Sequence, residues 1–300
     1  MQENIKIWVG ETGPACADRG YKLLDSGNKK KLEEIGGVRI ERNEPRAWWK
    51  PELPKEDWSF ASRGESLETI IDVGIDGIKA KIKFKNNSKH IGIFPEQVGQ
   101  WKWIYNKLKD LKIEKWKEGK IREGKGEEKL NVLNLFGYTG IATLICAKAG
   151  AKVTHVDASK QSIDWARENQ KLSGLENAPI RWIVDDVVKF IKKEIKRGAK
   201  YDAIIMDPPS YGRGPKGEVW KREEKLPDLL SACREILSDK PLFVIFNMYS
   251  TELSSISVAN LLADMMKDLG GSIESGELAI RQQNSNHLLP MSVFALWCAK

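Results

Sequence analysis

Acidic residues stand at the ends of three successive β-prone runs in the second half of the chain. They are Asp157, the pair Asp185 and Asp186, and Asp207. A carboxylate at the carboxyl end of a parallel strand can accept hydrogen bonds from ribose hydroxyls or from an adenine amino group. We expect Asp157 to hold a ribose, although it could simply stabilise the next helix N-terminus. Either Asp185 or Asp186 can reach an adenine while the other caps the following helix, and their spacing leaves both assignments open.

The stretch from Asp207 to Tyr211 reads Asp-Pro-Pro-Ser-Tyr. Its two prolines fix the backbone directly after a buried strand. The carboxylate of Asp207 and the carbonyls near Pro208 can therefore hold an amino group or the edge of a ring, and Tyr211 can stack on a flat substrate. The stretch is surrounded by Arg213, Lys216, Trp220, Lys221 and Arg222. The alternative interpretation is a structural turn followed by a solvated basic loop.

A third candidate is the turn Phe-Gly-Tyr-Thr-Gly at 136–140, which joins an apolar run to a helix-prone segment. Such a turn places backbone N–H groups and a helix N-terminus at the carboxyl edge of a sheet. The dinucleotide fingerprint Gly-x-Gly-x-x-Gly is absent, because aromatic residues flank a single Gly137. A dinucleotide-dependent oxidoreductase, or a non-catalytic nucleotide-binding module, is therefore only a remote alternative.

Strands and helices alternate from residue 130 to the end of the chain. Predicted strands cover 130–136, 152–156, 180–184, 202–206, 241–247, 272–280 and 291–298, and predicted helices cover 140–149, 159–173, 186–197, 225–237 and 253–268. This order predicts an α/β fold with a doubly wound, mostly parallel, seven-stranded sheet that finishes antiparallel.

The first part of the chain has a different character. Residues 1–93 predict a small β-rich N-terminal domain, 94–129 a helix and a charged connector, and 130–300 the α/β domain. A strand over 78–84 alternates apolar residues with lysines, whose face could meet a phosphate backbone or form a solvated edge. Tryptophans 48, 49 and 58 could stack on bases, but they more often pin a loop onto a small core.

Composition sets broad limits. The chain has 300 residues and a net charge of +7, which mildly favours a polyanionic partner such as nucleic acid. No pair of its four cysteines, at 16, 146, 233 and 298, has metal or redox spacing, and there are three histidines. We expect no metal, no membrane span and a reducing, cytoplasmic setting. The oligomeric state is left open.

Four motifs together resemble the class I S-adenosylmethionine-dependent methyltransferases. They are the turn at 136–140, Val-Asp-Ala-Ser-Lys at 156–160, Ala-Arg-Glu-Asn-Gln at 166–170 and Asp-Pro-Pro-Ser-Tyr at 207–211. The resemblance is greatest to the bacterial family related to the large-subunit ribosomal RNA cytosine-C5 methyltransferases, and it covers about residues 90–300. It implies a Rossmann-like methyltransferase fold, with S-adenosylmethionine as the cofactor.

The resemblance also implies roles for individual residues. Tyr138, Thr139 and Gly140 would line the methionine moiety, and Asp207, Pro208 and Tyr211 would form the catalytic group. The implied cofactor contacts are Phe94, Gln97, Phe136, Tyr138, Thr139, Gly140, Asp157, Ser159, Asn169, Asp185, Asp186 and Asp207. We therefore expect methylation of a base in RNA, specifically ribosomal RNA. The alternative is a methyltransferase acting on a protein or a small molecule. Cytosine-C5 chemistry usually employs an attacking cysteine, and the Asp-Pro-Pro loop contains none.

Overall fold

The computed structural model describes residues 5–10, 20–58, 67–84, 90–117, 129–249, 251–283 and 285–300. Cys16 and residues 118–128 of the predicted charged connector lie outside this part of the chain. No helix in the described ranges has the length and apolar character needed to cross a membrane.

Fifteen strands and six α-helices form the described structure. The strands are β1 (Ile5–Gly10), β2 (Tyr21–Gly27), β3 (Lys30–Ile35), β4 (Val38–Asn43), β5 (Leu67–Asp72), β6 (Lys79–Phe84), β7 (Asn131–Leu135), β8 (Lys152–Asp157), β9 (Ile180–Val184), β10 (Ala203–Met206), β11 (Tyr211–Arg213), β12 (Val219–Lys221), β13 (Phe243–Met248), β14 (Ser272–Arg281) and β15 (Leu288–Cys298). The helices are α1 (Val98–Lys117), α2 (Ile141–Lys148), α3 (Lys160–Leu172), α4 (Val187–Lys196), α5 (Arg222–Glu235) and α6 (Ser255–Met265), with short 3-10 helices at Lys55–Trp58 and Pro95–Gln97.

The main sheet has the strand order β1-β14-β15-β13-β10-β7-β8-β9. Strands β13, β10, β7, β8 and β9 are parallel, and β15 is antiparallel to both of its neighbours. This confirms the doubly wound, mostly parallel sheet. The sheet holds eight strands instead of the predicted seven, because β1 from the N-terminal region pairs in parallel with β14.

Burial on both faces explains why the central strands form here. β10 and β13 are buried along their whole length and consist largely of Ile, Val, Phe and Met, as in parallel strands covered by helices on each side. Apolar residues of α1 and α2 pack on one face, and those of α4, α5 and α6 pack on the other. The predicted strands and helices from residue 130 onward agree with these elements within three residues at each end.

The segment after Asp207 differs from the predicted loop. It forms a two-stranded hairpin of β11 and β12, and α5 begins directly after it at Arg222. Trp220 is buried against Phe136, and its indole N–H donates to the carbonyl of Pro209 at 2.6 Å. The hairpin is therefore fastened to the Asp-Pro-Pro turn, and Trp220 is unavailable for stacking on a ligand.

The N-terminal β-strands pack at two places on the main sheet and its helices. The three-stranded sheet β2-β3-β4 meets the end of β14, where the Gln283 N–H donates to the carbonyl of Leu23 at 2.8 Å. The hairpin of β5 and β6 packs on α3, where the Trp165 indole donates to the carbonyl of Lys81 at 2.9 Å. These strands therefore flank the carboxyl edge of the parallel strands.

The lysines of β6 and the tryptophans between β4 and β5 have different surroundings. Lys81 and Lys83 pair with Glu168 of α3, and the ammonium of Lys83 lies 4.6 Å from the ring centroid of Trp165. Lys81 and Lys83 are thus held against α3, whereas Lys79 at the start of β6 is exposed. Trp49 and Trp58 bond to Ser26 and Asp25, which confirms that they pin a loop, whereas Trp48 is exposed.

Asp25 is the centre of that loop attachment. Its fully buried carboxylate accepts hydrogen bonds from the backbone of Ser26, Glu52 and Leu53 and from the side chains of Trp58 and Gln282. Removing the carboxylate would leave these donors without a partner in a dry environment. Orphaned donors destabilise proteins strongly.

We therefore expect Asp25→Ala to lower the free energy of unfolding by about 3 kcal/mol or more, measured by urea denaturation. The control is Glu41→Ala, which removes an exposed ion pair to Lys30 and should cost less than about 1 kcal/mol. Equal effects of the two substitutions would contradict the role given to Asp25.

Candidate functional site

The turn between β7 and α2 lies at the centre of the site. Phe136 and Tyr138 adopt positive φ angles of 56° and 49°. Residues other than glycine in this region carry strain of about 1–3 kcal/mol each, and such strain clusters at ligand sites. The Tyr138 N–H donates to Asp157 Oδ2 at 2.8 Å, and the Gly137 N–H donates to the carbonyl of Val156 at 3.2 Å. Strand β8 therefore holds the turn in its strained form.

Gly137 is required for a steric reason. A Cβ at this position would lie 2.3 Å from Cε1 of His155. That imidazole is fully buried, and burial lowers its pKa to about 3, so the ring is neutral. Its Nδ1 bonds to the Thr143 hydroxyl at 2.9 Å. His155 is thus a packing block beneath the turn, and its contribution was not predicted from the sequence.

Asp157 is held in one orientation. Oδ2 accepts from the Tyr138 N–H, and Oδ1 accepts from the Ser159 N–H at 2.8 Å. Each carboxylate oxygen can accept a further hydrogen bond, so the group can still bind a pair of hydroxyls. Burial raises the pKa of Asp157, and its two backbone hydrogen bonds oppose that rise. The hydroxyl of Ser159 caps α3 by accepting from the Ser162 N–H. Ser159 supports the site through its backbone N–H, which is bonded to Asp157.

The two acids after β9 have different surroundings. Asp186 caps α4, with Oδ1 accepting from the Lys189 N–H at 3.0 Å. Asp185 accepts from the Asp186 N–H and forms an ion pair with Lys193 at 2.6 Å. The cap therefore belongs to Asp186, and it engages only one of that residue's carboxylate oxygens. A contact of either acid with an adenine stays a prediction.

Thr139 and Asn169 connect the turn to the N-terminal strands. Both side chains are buried. The Thr139 hydroxyl donates to the carbonyl of Gly92 at 2.7 Å, and the Asn169 amide donates to the carbonyl of Thr139 at 3.0 Å. Asn169 Oδ1 also accepts from the Lys81 N–H. The two side chains thus fasten the turn to the N-terminal strands, and a contact of either residue with the cofactor stays a prediction.

Aromatic side chains surround Tyr138. The ring of Phe94 lies 5.6 Å from that of Tyr138 and 5.1 Å from that of Tyr249, and Trp165 lies 5.9 Å from Tyr138. His90 packs against Phe94 and Tyr138 at 5.6 and 6.1 Å. Aromatic faces attract cations as well as apolar groups. This wall can therefore hold a ligand part that is both positively charged and partly apolar.

Asp207 lies at the carboxyl end of β10. Its Oδ2 accepts from the Gln97 side-chain amide at 2.9 Å. Burial raises the pKa of Asp207 to about 7, although Gln97 and the guanidinium of Arg222 oppose the rise. The adjacent Pro208 is buried, whereas Tyr211 is 52% exposed. A carboxyl group that titrates near neutrality can exchange a proton with a bound substrate.

Glu96 is a second acid near Asp207 that the sequence did not single out. It is fully buried, and neither of its carboxyl oxygens has a hydrogen-bond partner among the described residues. Burial and the charge of Asp207 raise the pKa of Glu96 to about 7, while Lys31 and Arg46 lower it. Glu96 belongs to the stretch Phe-Pro-Glu-Gln at 94–97. The sequence of this stretch does not indicate that its acid is buried.

The cations after Asp207 are less free than predicted. Arg222 is buried and donates to the carbonyl of Tyr249 at 2.7 Å. Lys221 forms an ion pair with Glu224 at 2.8 Å. Arg213 donates to the Tyr211 hydroxyl at 3.3 Å. Across the described ranges, no three His, Cys, Asp or Glu side chains are grouped as a metal site would require.

The packing beneath the turn gives a direct test. Gly137→Ala should lower the free energy of unfolding by about 1–3 kcal/mol, because the new methyl group overlaps the His155 ring. Thermal and urea unfolding measure this effect. Gly99→Ala in α1 is the matched control, since its methyl group would meet no heavy atom nearer than 3.6 Å. The control should be neutral or stabilising by up to about 1 kcal/mol. A stable Gly137→Ala protein would contradict the packing argument.

The chain is similar to known proteins in both sequence and structure. Residues 115–239 match the model of a family described as S-adenosylmethionine-dependent methyltransferase. The crystal structure of a methyltransferase of this class from Agrobacterium tumefaciens is 38% identical, with a TM-score of 0.84, and the match covers 100% of this chain and 98% of that one.

Curated relatives match over shorter lengths. A putative ribosomal RNA large subunit methyltransferase of Methanocaldococcus jannaschii is 31% identical over 65% of this chain and 42% of its own length. Ribosomal RNA large subunit methyltransferase I of Aeromonas salmonicida is 38% identical over 34% of this chain and 24% of its own length. The chain thus spans less than half the length of these two relatives.

Proposed function

Because the chain belongs to the S-adenosylmethionine-dependent methyltransferases, we propose that it methylates a base in RNA, specifically in ribosomal RNA of the large subunit. The observation that carries this proposal is the position of Asp207, which follows β10 at its carboxyl end, is bonded to Gln97 and precedes the exposed Tyr211 by four residues. The net charge of +7 and the names of the curated relatives support RNA as the substrate.

The residues of the site fit the cofactor by their chemistry. S-adenosylmethionine, when bound, supplies a methyl group activated by a sulfonium cation. Asp157 would accept hydrogen bonds from the ribose hydroxyls, and Asp186 or Asp185 would reach the adenine. The aromatic wall of Phe94, Tyr138 and their neighbours suits a cationic sulfur with apolar substituents.

We place the acceptor atom at a nitrogen of the base. Cys146 and Cys233 are fully buried, and burial raises the pKa of both thiols. Cys298 pairs with Phe243, the first residue of β13, at the opposite end of that strand from the site. None of these three, which are the cysteines within the described ranges, can supply a nucleophilic thiolate at Asp207. Their free thiols also fit the reducing cytoplasm, where we place the enzyme.

Asp207 would then have two tasks. Its carboxylate accepts a hydrogen bond from the amino group or protonated ring nitrogen of the acceptor and so orients it. It also takes the proton that this nitrogen loses when it is methylated, which is efficient because the pKa of Asp207 is near neutral. Tyr211 stacks on the base, and Pro208 and Pro209 keep the edge rigid.

Substitution of Asp207 tests the proposal. Asp207→Ala should reduce incorporation of labelled methyl groups into large-subunit ribosomal RNA by about 100-fold or more, because positioning and proton transfer are both lost. The RNA is prepared from cells that lack the enzyme, so that its target base is unmodified. Asp164→Ala, which removes an exposed acid from α3, should change the rate less than about 2-fold.

Methylation of a protein fraction or a small molecule, with no incorporation into RNA by the unchanged enzyme, would refute the proposed substrate. Unimpaired RNA methylation by Asp207→Ala would refute the proposed role of this residue.

The pH profile provides a second test. Only ionised Asp207 accepts a proton, so the single-turnover rate should rise with pH and reach half its maximum near pH 7. Gln97 stabilises the ionised form through its hydrogen bond. Gln97→Ala should therefore move the rising limb to higher pH. A rate limb that stays at the same pH in this variant would contradict Asp207 as the titrating group.

A further inference from the structure

Trp48 is unusually exposed for a large apolar side chain. It is 79% exposed, more than any other large hydrophobic residue in the described part of the chain. Its neighbours in sequence are buried or bonded, since Ala47 is fully buried and the Trp49 indole donates to the Ser26 hydroxyl. An exposed indole face on a well-packed loop is available for stacking on an unpaired base.

The loop beneath Trp48 is fixed by the turn between β2 and β3. Asn28 and Lys29 adopt positive φ angles of 49° and 62°, as in the tight turns of β-hairpins. The Asn28 N–H donates to the carbonyl of Trp49, and the Lys29 N–H donates to that of Ala47, both at 2.7 Å. The ammonium of Lys29 lies 5.3 Å from the ring centroid of Trp48. The indole and this cation therefore form a preorganised pair, which we name the Trp48 platform.

The platform is connected to the edge of the sheet that carries Asp207. Arg46, two residues before Trp48, donates to the carbonyl of Met291 in β15. This part of β15 lies beside the carboxyl end of β13, because Met248 pairs with Val293. Arg46 also lies within electrostatic reach of Glu96, as does Asp207.

Two lysines near the platform carry charge that no described ion pair neutralises. Lys29 and Lys50 are exposed, and neither has an ion pair within the described residues. Of the nearby acids, Glu41 pairs with Lys30 and Glu44 with Arg46, while Glu52 lies 3.2 Å from Nδ1 of His287. An aromatic face between unpaired cations is complementary to a base flanked by phosphates.

We propose that the Trp48 platform binds the RNA substrate outside the catalytic site, with the indole stacked on an unpaired base and Lys29 and Lys50 against the flanking phosphates. This inference rests on the proposed function for its partner, a single-stranded segment of RNA. It assigns a substrate-binding role to the N-terminal three-stranded sheet.

An RNA-binding measurement tests this role. Fluorescence anisotropy follows the binding of a labelled single-stranded segment of large-subunit ribosomal RNA to the full chain in the presence of S-adenosylhomocysteine. Trp48→Ala should weaken RNA binding about 5-fold to 100-fold, the range expected when one stacked base loses its aromatic partner. Trp48→Phe should retain most of the affinity, because it keeps an aromatic face. The control is Ile70→Ala, which truncates another exposed apolar side chain, on β5, and should leave binding unchanged.

The salt dependence separates stacking from phosphate contact. Lys29→Ala and Lys50→Ala should each reduce the slope of log affinity against log salt by about one, whereas Trp48→Ala should leave the slope unchanged. All variants should bind S-adenosylhomocysteine as the unchanged protein does, which also shows that they are folded.

Two failures can be told apart. If the unchanged protein binds and methylates RNA but Trp48→Ala does so equally well, the platform is wrong and the proposed function stands. If the unchanged protein neither binds nor methylates RNA, the proposed function fails and the platform fails with it.

Discussion

The structure depends on keeping one strained turn in place. Phe136 and Tyr138 have left-handed backbone conformations, which are unfavourable by about 1–3 kcal/mol each. On one side of the turn, the Asp157 carboxylate accepts a hydrogen bond from the Tyr138 N–H. On the other side, the Thr139 hydroxyl donates to the Gly92 carbonyl, and the Asn169 amide donates to the Thr139 carbonyl. Each such hydrogen bond contributes roughly 1 kcal/mol, so several are needed together. The same contacts that maintain the turn also orient the carboxylate assigned to the ribose.

This dependence explains why the N-terminal strands belong to the site. The hairpin of β5 and β6 supplies Lys81, whose N–H orients Asn169 behind the turn. The segment that follows it contributes Phe94 to the aromatic wall and Gln97 to Asp207. The three-stranded sheet is attached to the end of β14 through Asp25 and Gln282. A chain folded only from residue 130 onward would lack both Phe94 beside Tyr138 and Gln97 beside Asp207.

Local pattern predicted much of this fold. Apolar runs and their spacing predicted the strands of the parallel sheet. The positions of Asp157 and Asp207 at the ends of such runs predicted that both residues lie at the carboxyl edge of that sheet. The pairing of β1 with β14 was missed, because it joins residues far apart in the sequence. The residue types of Thr139 and Asn169 do not reveal that their side chains bond to backbone carbonyls. Burial of Glu96 and Trp220 likewise arises only from tertiary packing.

The central claim is that the turn and Asp157 form a pocket for an S-adenosylmethionine-type cofactor. Isothermal titration calorimetry with S-adenosylhomocysteine and with NAD tests this claim most directly. We predict one site per chain for S-adenosylhomocysteine, no heat of binding with NAD, and an affinity for the former at least 10-fold weaker in Asp157→Ala, which corresponds to about 1.4 kcal/mol. Binding of NAD without binding of S-adenosylhomocysteine, or an unchanged affinity in Asp157→Ala, would contradict the account.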